Sequence, residues 1–343
     1  MGLFKRRATP DVAVADPPAD ASASLEGLLE EIARLTERNR AAADRATERR
    51  LLRLRHLAGL RRLEAAGSAP THAEPDPARL PAPGALPEFA PSDLDPALLR
   101  AGILRDGCVL VRGLVDRGAA RALAAGIDRA FAERAAQEAG RGGEPGYYEA
   151  FQPEPPFELA AVRPWIKEGG GILAADSPLL SFQMLELFES AGLPRLVGGY
   201  LGEPPLLSVH KTTLRKADPS VGGSWHQDGA FMGGARPINL WLSLSRCGDE
   251  APGLDIVPRR LDEIVIEHGA MLDVELTRRK AHAAAGDVPI LRPIFEPGDA
   301  LFFDELFLHQ TGSDASMTKP RFAVESWFFG GSAFPSDYAP VAV

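Results

Sequence analysis

The chain has 343 residues, with 38 Lys+Arg against 47 Asp+Glu and a formal net charge of −9. That acidity argues against a general nucleic-acid binder, which carries a basic excess, while 45% hydrophobic and 25% charged residues is the composition of a soluble globular protein. Two cysteines, Cys108 and Cys247, are too few for a disulfide framework or a cysteine-rich zinc site. No apolar run reaches membrane-spanning length. The basic start Met1–Arg7 has no apolar stretch behind it of the kind a secretory signal needs, so a cytoplasmic protein is expected.

Residues 1–24 are rich in Ala, Pro and Asp without periodicity and read as a disordered tail. Residues 25–66 contain no proline, and Leu25, Leu28, Ile32 and Leu35 recur at heptad-like spacing. With Ser24 as an N-cap and Gly67 as a stop, the pattern predicts one amphipathic, coiled-coil-like helix. Its apolar seam suits homo-oligomerisation, and its arginine face (Arg34, Arg38, Arg45, Arg49, Arg53) suits an acidic partner. The competing reading lays the helix on its own domain. Residues 67–96 hold eight prolines and read as a semi-rigid extended linker, which leaves residues 97–343 as a globular domain independent of what precedes it.

Within that domain, Gly107–Gly113 reads as a strand and Ala119–Ala136 as an Ala-rich helix. Residues 139–171 form a long loop carrying Tyr147, Tyr148, Phe151, Phe157 and Trp165, and loops of this length are usually functional or disordered. Pro178–Gly192 reads as a helix. Short strands follow at Leu206–Arg215, Ile238–Ser245, Leu254–Val257, Ile290–Phe295, Ala300–Phe307 and Phe322–Phe329, with turn signals between them. Helices first and short strands after predict an α+β chain whose second half is a β-sandwich or barrel.

The stretch Ser224-Trp-His-Gln-Asp-Gly-Ala-Phe231 carries the chemistry. In an extended segment, His226 and Asp228 project to the same side and can share one cation. A third ligand is expected from His309, which ends the apolar strand that follows the Pro297-Gly298 turn. Two histidines and one carboxylate on one face, with the opposite positions open, suit a non-haem Fe(II) that also holds a co-substrate and O₂. His56, His72, His210, His268 and His282 read as structural or surface histidines, and the two cysteines as small buried hydrophobes.

Trp225-His-Gln-Asp-Gly229, the Pro-Gly-Asp turn at 297–299, His309 with Thr311, and Arg321 together resemble the phytanoyl-CoA dioxygenase-like family of Fe(II)- and 2-oxoglutarate-dependent oxygenases. The resemblance spans about residues 97–335. It implies a double-stranded β-helix (jelly-roll, cupin-like) core with flanking helices, preceded here by the N-terminal helix. It implies that His226, Asp228 and His309 hold the iron and that Arg321 and Thr311 take the distal carboxylate of 2-oxoglutarate. Trp241 would line the co-substrate pocket and Lys167 reach the co-substrate from the preceding loop. The activity implied is hydroxylation of a small-molecule or lipid-like substrate with release of succinate and CO₂. Oxygenation rather than halogenation follows from Asp228, because related halogenases carry a small residue there. The alternatives are a non-catalytic β-barrel scaffold with an N-terminal interaction helix, and a cupin-like metalloenzyme that does not use 2-oxoglutarate. Sequence patterning agrees at two strands. Ile238, Leu240, Leu242 and Leu244 alternate with Asn239, Trp241 and Ser243, and Arg321 shares a face with Ala323 and Glu325.

Overall fold

A computed structural model describes residues 23–67, 69–220, 222–232, 234–265 and 275–343. The expected tail lies outside these residues except for Ala23 and Ser24, and so does His268. The elements in chain order are α1 (Leu25–Ala41), α2 (Arg45–Ala65), β1 (Glu88–Phe89), α3 (Pro96–Asp106), β2 (Cys108–Val111), α4 (Arg117–Glu138), α5 (Val162–Glu168), β3 (Gly171–Leu173) and α6 (Pro178–Ser190). They continue with α7 (Leu193–Leu201), β4 (Pro205–Ala217), β5 (Ile238–Ser243), β6 (Gly253–Ile256), α8 (Arg278–Ala285), β7 (Ala300–Phe303), β8 (His309–Gly312), β9 (Arg321–Gly330) and β10 (Pro340–Ala342). No helix among the described residues is long and apolar enough to cross a membrane.

The large sheet runs β1-β2-β7-β5-β9-β4-β10, and β3 pairs with the far half of β4. Its neighbours are antiparallel except for β1 beside β2. Period-two alternation divides its side chains cleanly. Val109, Leu240, Leu242, Phe302, Val324 and Phe328 pack with the helices. Leu110, Trp241, Leu301, Phe303, Ala323 and Trp327 turn the other way and meet Leu254 and Ile256 of β6. Strands β6 and β8 form a small second sheet, so a large and a small sheet enclose one interior with the helices on the outside. The expected strand at Ile290–Phe295 makes only isolated bridges, Ile256 to Leu291 and Cys247 to Phe295.

The expected single helix over 25–66 is two helices folded back on each other. Ser24 caps α1 through Gly27 N–H, and Asp44 caps α2 through Thr47 N–H. Asn39 Oδ1 accepts from Asp44 N–H and closes the turn between them. The seam residues Leu28, Ile32 and Leu35 are buried against Leu51, Leu54 and Leu57, together with Leu206 and Ala342 of the domain. The arginine face divides along the same lines. Arg49 pairs with Glu149 and Arg53 with Glu154, both in the aromatic loop, while Arg34 and Arg45 pair locally with Glu31 and Glu48.

Nor is the proline-rich stretch a free linker. Proline lacks an N–H, but the residues between the prolines still need partners. Thr71 and Ala73 donate to Gly202 and Gly199 carbonyls, and Glu88–Phe89 adds a parallel edge to β2. The stretch is a belt laid over the domain.

Candidate active site

His226 and His309 are directly opposite one another in an antiparallel bridge, each donating its N–H to the other's carbonyl at 3.0 and 3.1 Å. The 225–226 segment thereby extends the small sheet on the far side of β8 from β6. His226 Nδ1 is 2.8 Å from the Ser224 carbonyl, and His309 Nδ1 is 3.0 Å from the Phe307 carbonyl. A carbonyl only accepts, so each Nδ1 carries a proton and Nε2 is the ring nitrogen left to face a cation. One ligand atom from each of His226, Asp228 and His309 lies within 4.8 Å of the others. Burial, reinforced by neighbouring His226, pushes the His309 imidazole down to about 4, so it is neutral at neutral pH. Its 3.6 Å approach to Asp228 Oδ2 is therefore not an ion pair. Asp228 Oδ2 is itself buried without a hydrogen-bond partner.

The turn between the ligands is held from behind. Gln227 is 2% exposed, and its amide donates to the Glu263 and Leu306 carbonyls and accepts from Val265 N–H. Gly229 N–H donates to the Glu305 carbonyl at 2.8 Å, and a Cβ at 229 would lie only 2.8 Å from that same oxygen. A side chain there would push the Asp228 turn off its seat.

These three side chains open on a cavity of about 340 Å³ inside the sheet sandwich, within the range of roughly 300–1,000 Å³ usual for small-molecule sites. Arg321, at the start of β9, lines it with Thr311 and Trp241. Arg321 is 4% exposed, donates from Nη1 to the Gly253 carbonyl, lies 5.4 Å over the Trp241 ring and leaves Nε without a partner. Burial lowers its pKa. No carboxylate lies within ion-pair distance of it among the described residues: Asp304 is held by Arg260 and Asp314 by Arg292. Lys319 is at the surface, paired with Glu250.

Lys167 is not in this cavity. It is exposed on α5, its Nζ 2.9 Å from Glu138, on a separate surface cleft that also carries Arg134 and Arg163. The cations that do line the cavity from β4 are Lys211 and Arg215. Arg215 is paired with Glu325 at 2.8 Å, and that guanidinium holds the Glu325 carboxyl below its usual range despite the burial that would raise it. The register of β4 against β9 shifts between Leu207 and Thr212. That irregularity brings both His210 and Lys211 to the cavity, where strict alternation would separate them. His210 accepts from Ala339 N–H and stacks on Tyr338 at 5.3 Å. Trp165, on α5, a helix where the sequence suggested continuous loop, and Phe231, in the turn after Asp228, complete the rim.

No family model and no curated protein matches the chain. Among solved structures it is similar to the epimerase SnoN in complex with Fe3+, alpha ketoglutarate and nogalamycin RO, at 18% identity over 67% of this chain and 82% of that one, with a TM-score of 0.47. It is similar to EctD from S. alaskensis with 2-oxoglutarate and 5-hydroxyectoine, at 16% identity over 78% and 86% of the two chains and a TM-score of 0.49. A third is AviO1 from Streptomyces viridochromogenes Tue57, at 17% identity over 73% and 99%, with a TM-score of 0.44.

Proposed function

We propose that this protein is an Fe(II)- and 2-oxoglutarate-dependent oxygenase that hydroxylates a small organic substrate and releases succinate and CO₂. The observation that carries the reading is Arg321, a buried guanidinium without a carboxylate partner among the described residues, in the same cavity as two imidazoles and an unpartnered carboxylate oxygen. A buried charge is tolerable only when paired, and a planar fork suits a carboxylate. A cupin-like metalloenzyme without 2-oxoglutarate, or a scaffold with a degenerate site, has no use for that cation.

His226, Asp228 and His309 would hold the metal through Nε2, one carboxylate oxygen and Nε2. Iron with 2-oxoglutarate and O₂ supplies the oxidising chemistry when bound. Arg321 and the Thr311 hydroxyl would take the distal carboxylate of the co-substrate, and Trp241 supports the guanidinium from below. Gln227 and the Gly229 contact fix the direction of the Asp228 carboxylate. Phe303, against the His309 ring at 4.8 Å, gives that residue an apolar wall. We read the two-sheet enclosure as the double-stranded β-helix of such enzymes.

Adding Fe(II) and 2-oxoglutarate under anaerobic conditions should give a weak visible charge-transfer band, and admitting air should release succinate. His226→Ala and His309→Ala should lose both signals. Full turnover in excess chelator would sink the iron assignment.

A further inference from the structure

The ion pairs around the cavity leave one cation, at the rim, without a carboxylate in contact among the described residues. On the reading just given, the metal's two positive charges meet Asp228 and the keto-acid end of the co-substrate, and Arg321 meets the distal carboxylate. Arg215 and Glu325 neutralise each other at 2.8 Å. Lys211 is left over. Glu325 senses it electrostatically, but the hydrogen bonds of that carboxylate go to Arg215 and Thr213. Glu275 also lines the cavity, and no carboxylate among the described residues comes within ion-pair distance of Lys211 Nζ.

The ammonium is instead placed between two rings. Lys211 Nζ lies 5.2 Å from the Trp165 centroid and 5.2 Å from the Phe231 centroid. The rings stand 6.5 Å apart, tilted by 54°. Trp165 is 50% exposed and Phe231 40% exposed, among the few large apolar side chains that remain so open. Ring faces hold the ammonium in position without neutralising it. Two uncovered aromatic side chains at the mouth of a cavity are apolar area waiting for a partner.

We propose that this rim recognises an amphipathic organic anion as the substrate. Lys211 pairs with its carboxylate or phosphate, and Trp165 and Phe231 cover the apolar body beside it. The inference rests on the oxygenase reading and narrows it, because Phe231 lies in the same turn as Asp228 and an anion held at Lys211 has its body next to the metal ligands. Lys211 is a binding and specificity residue here and takes no part in holding metal or co-substrate.

Phenylacetate, benzylphosphonate and phenylacetamide share one body and differ in charge. Their binding to the full chain is measured by tryptophan fluorescence and calorimetry, both on the metal-free protein and on the anaerobic Fe(II)/2-oxoglutarate complex. At least one of the two anions should bind about tenfold or more tighter than the amide, the gain expected of a charge-assisted pair. The better anion identifies the head group. Lys211→Gln should abolish the preference while keeping the charge-transfer band, and Lys211→Arg should retain the preference. Trp165→Ala should weaken the anion and the amide alike. The inference is overturned if no anion outbinds the amide, if Lys211→Gln preserves the preference, or if Lys211→Gln removes the band, which would make Lys211 a co-substrate ligand. A wild-type chain that never gives the band overturns the oxygenase reading instead, and fluorescence on the metal-free protein still reads Lys211.

Discussion

Arg321 donates to a single backbone carbonyl, and its buried Nε has no partner, so without an anion its charge destabilises the fold. Two outcomes follow from one residue. Arg321→Ala should raise the 2-oxoglutarate requirement roughly a hundredfold, the loss of a charge-assisted pair, with iron affinity unchanged in a metal titration. Arg321→Met should raise the melting temperature of the ligand-free chain, because it removes an uncompensated charge and keeps the packing volume. Lys319→Ala should do neither, since Lys319 is at the surface with Glu250. Arg321 was legible in the sequence because a charge at the start of an apolar strand needs a reason. The clustering of His226, Asp228 and His309 was legible because extended spacing puts positions 226 and 228 on one side, and a turn then delivers position 309. Lys211 was not legible: its place depends on a register shift in β4, which leaves no mark on the alternation of residue types. Lys167 failed for a related reason: it lies on the short helix α5, and residue types do not say which wall of the domain that helix follows.

At the scale of elements, the N-terminal hairpin is bound into the domain by apolar packing, ion pairs and one histidine. His56 is 1% exposed, with Nδ1 2.7 Å from the Pro340 carbonyl and Nε2 accepting from Glu154 N–H at 3.0 Å. It thus joins α2 to the C-terminal strand and to the aromatic loop. Gly59 sits mid-helix because a Cβ there would meet the Pro340 backbone at 3.0 Å. Leu54→Ala should cost about 2–5 kcal/mol in urea unfolding, the range for a buried leucine, and an unchanged midpoint would mean that the hairpin is only loosely docked. The sequence showed a helix but not its break. Ala41–Ala42–Ala43 are all strong helix formers, and the stop comes from Asp44 capping the next helix, a signal without Gly or Pro to announce it. The belt over 67–96 was hidden likewise: proline content reports an extended backbone and is silent on what that backbone lies against.

Across the whole molecule, stability carries a pH dependence written into a buried acidic pair behind the site. Burial, and then the neighbouring Asp304, push Glu305 up from an ordinary 4.5 to about 7. Burial also raises Asp304, against the pull of Arg260. Between those two values the folded chain keeps a proton that the unfolded chain has released, so stability falls as pH rises through that window. The unfolding free energy from urea titrations should therefore drop between about pH 4.5 and pH 7, by up to about 3 kcal/mol for a shift of this size. Glu305→Gln should flatten the drop, and an equally steep fall in that variant would refute the assignment. The α+β class and the pattern of short strands were open to reading because alternation survives in β5, β7 and β9. The closure of two sheets around one interior depends on pairings between distant segments, and no local pattern records those.

The mutual hydrogen bonds between His226 and His309 have a consequence for how the protein is handled. They bring two distant segments into register by backbone pairing alone, so folding itself supplies the loop-closure entropy of the site. On the proposed reading an arriving ion would find a socket, in contrast to small zinc domains whose metal must organise the chain. Preparations with little turnover would then be mixtures of folded molecules that differ in occupancy, and restoring them would call for reconstitution rather than renaturation.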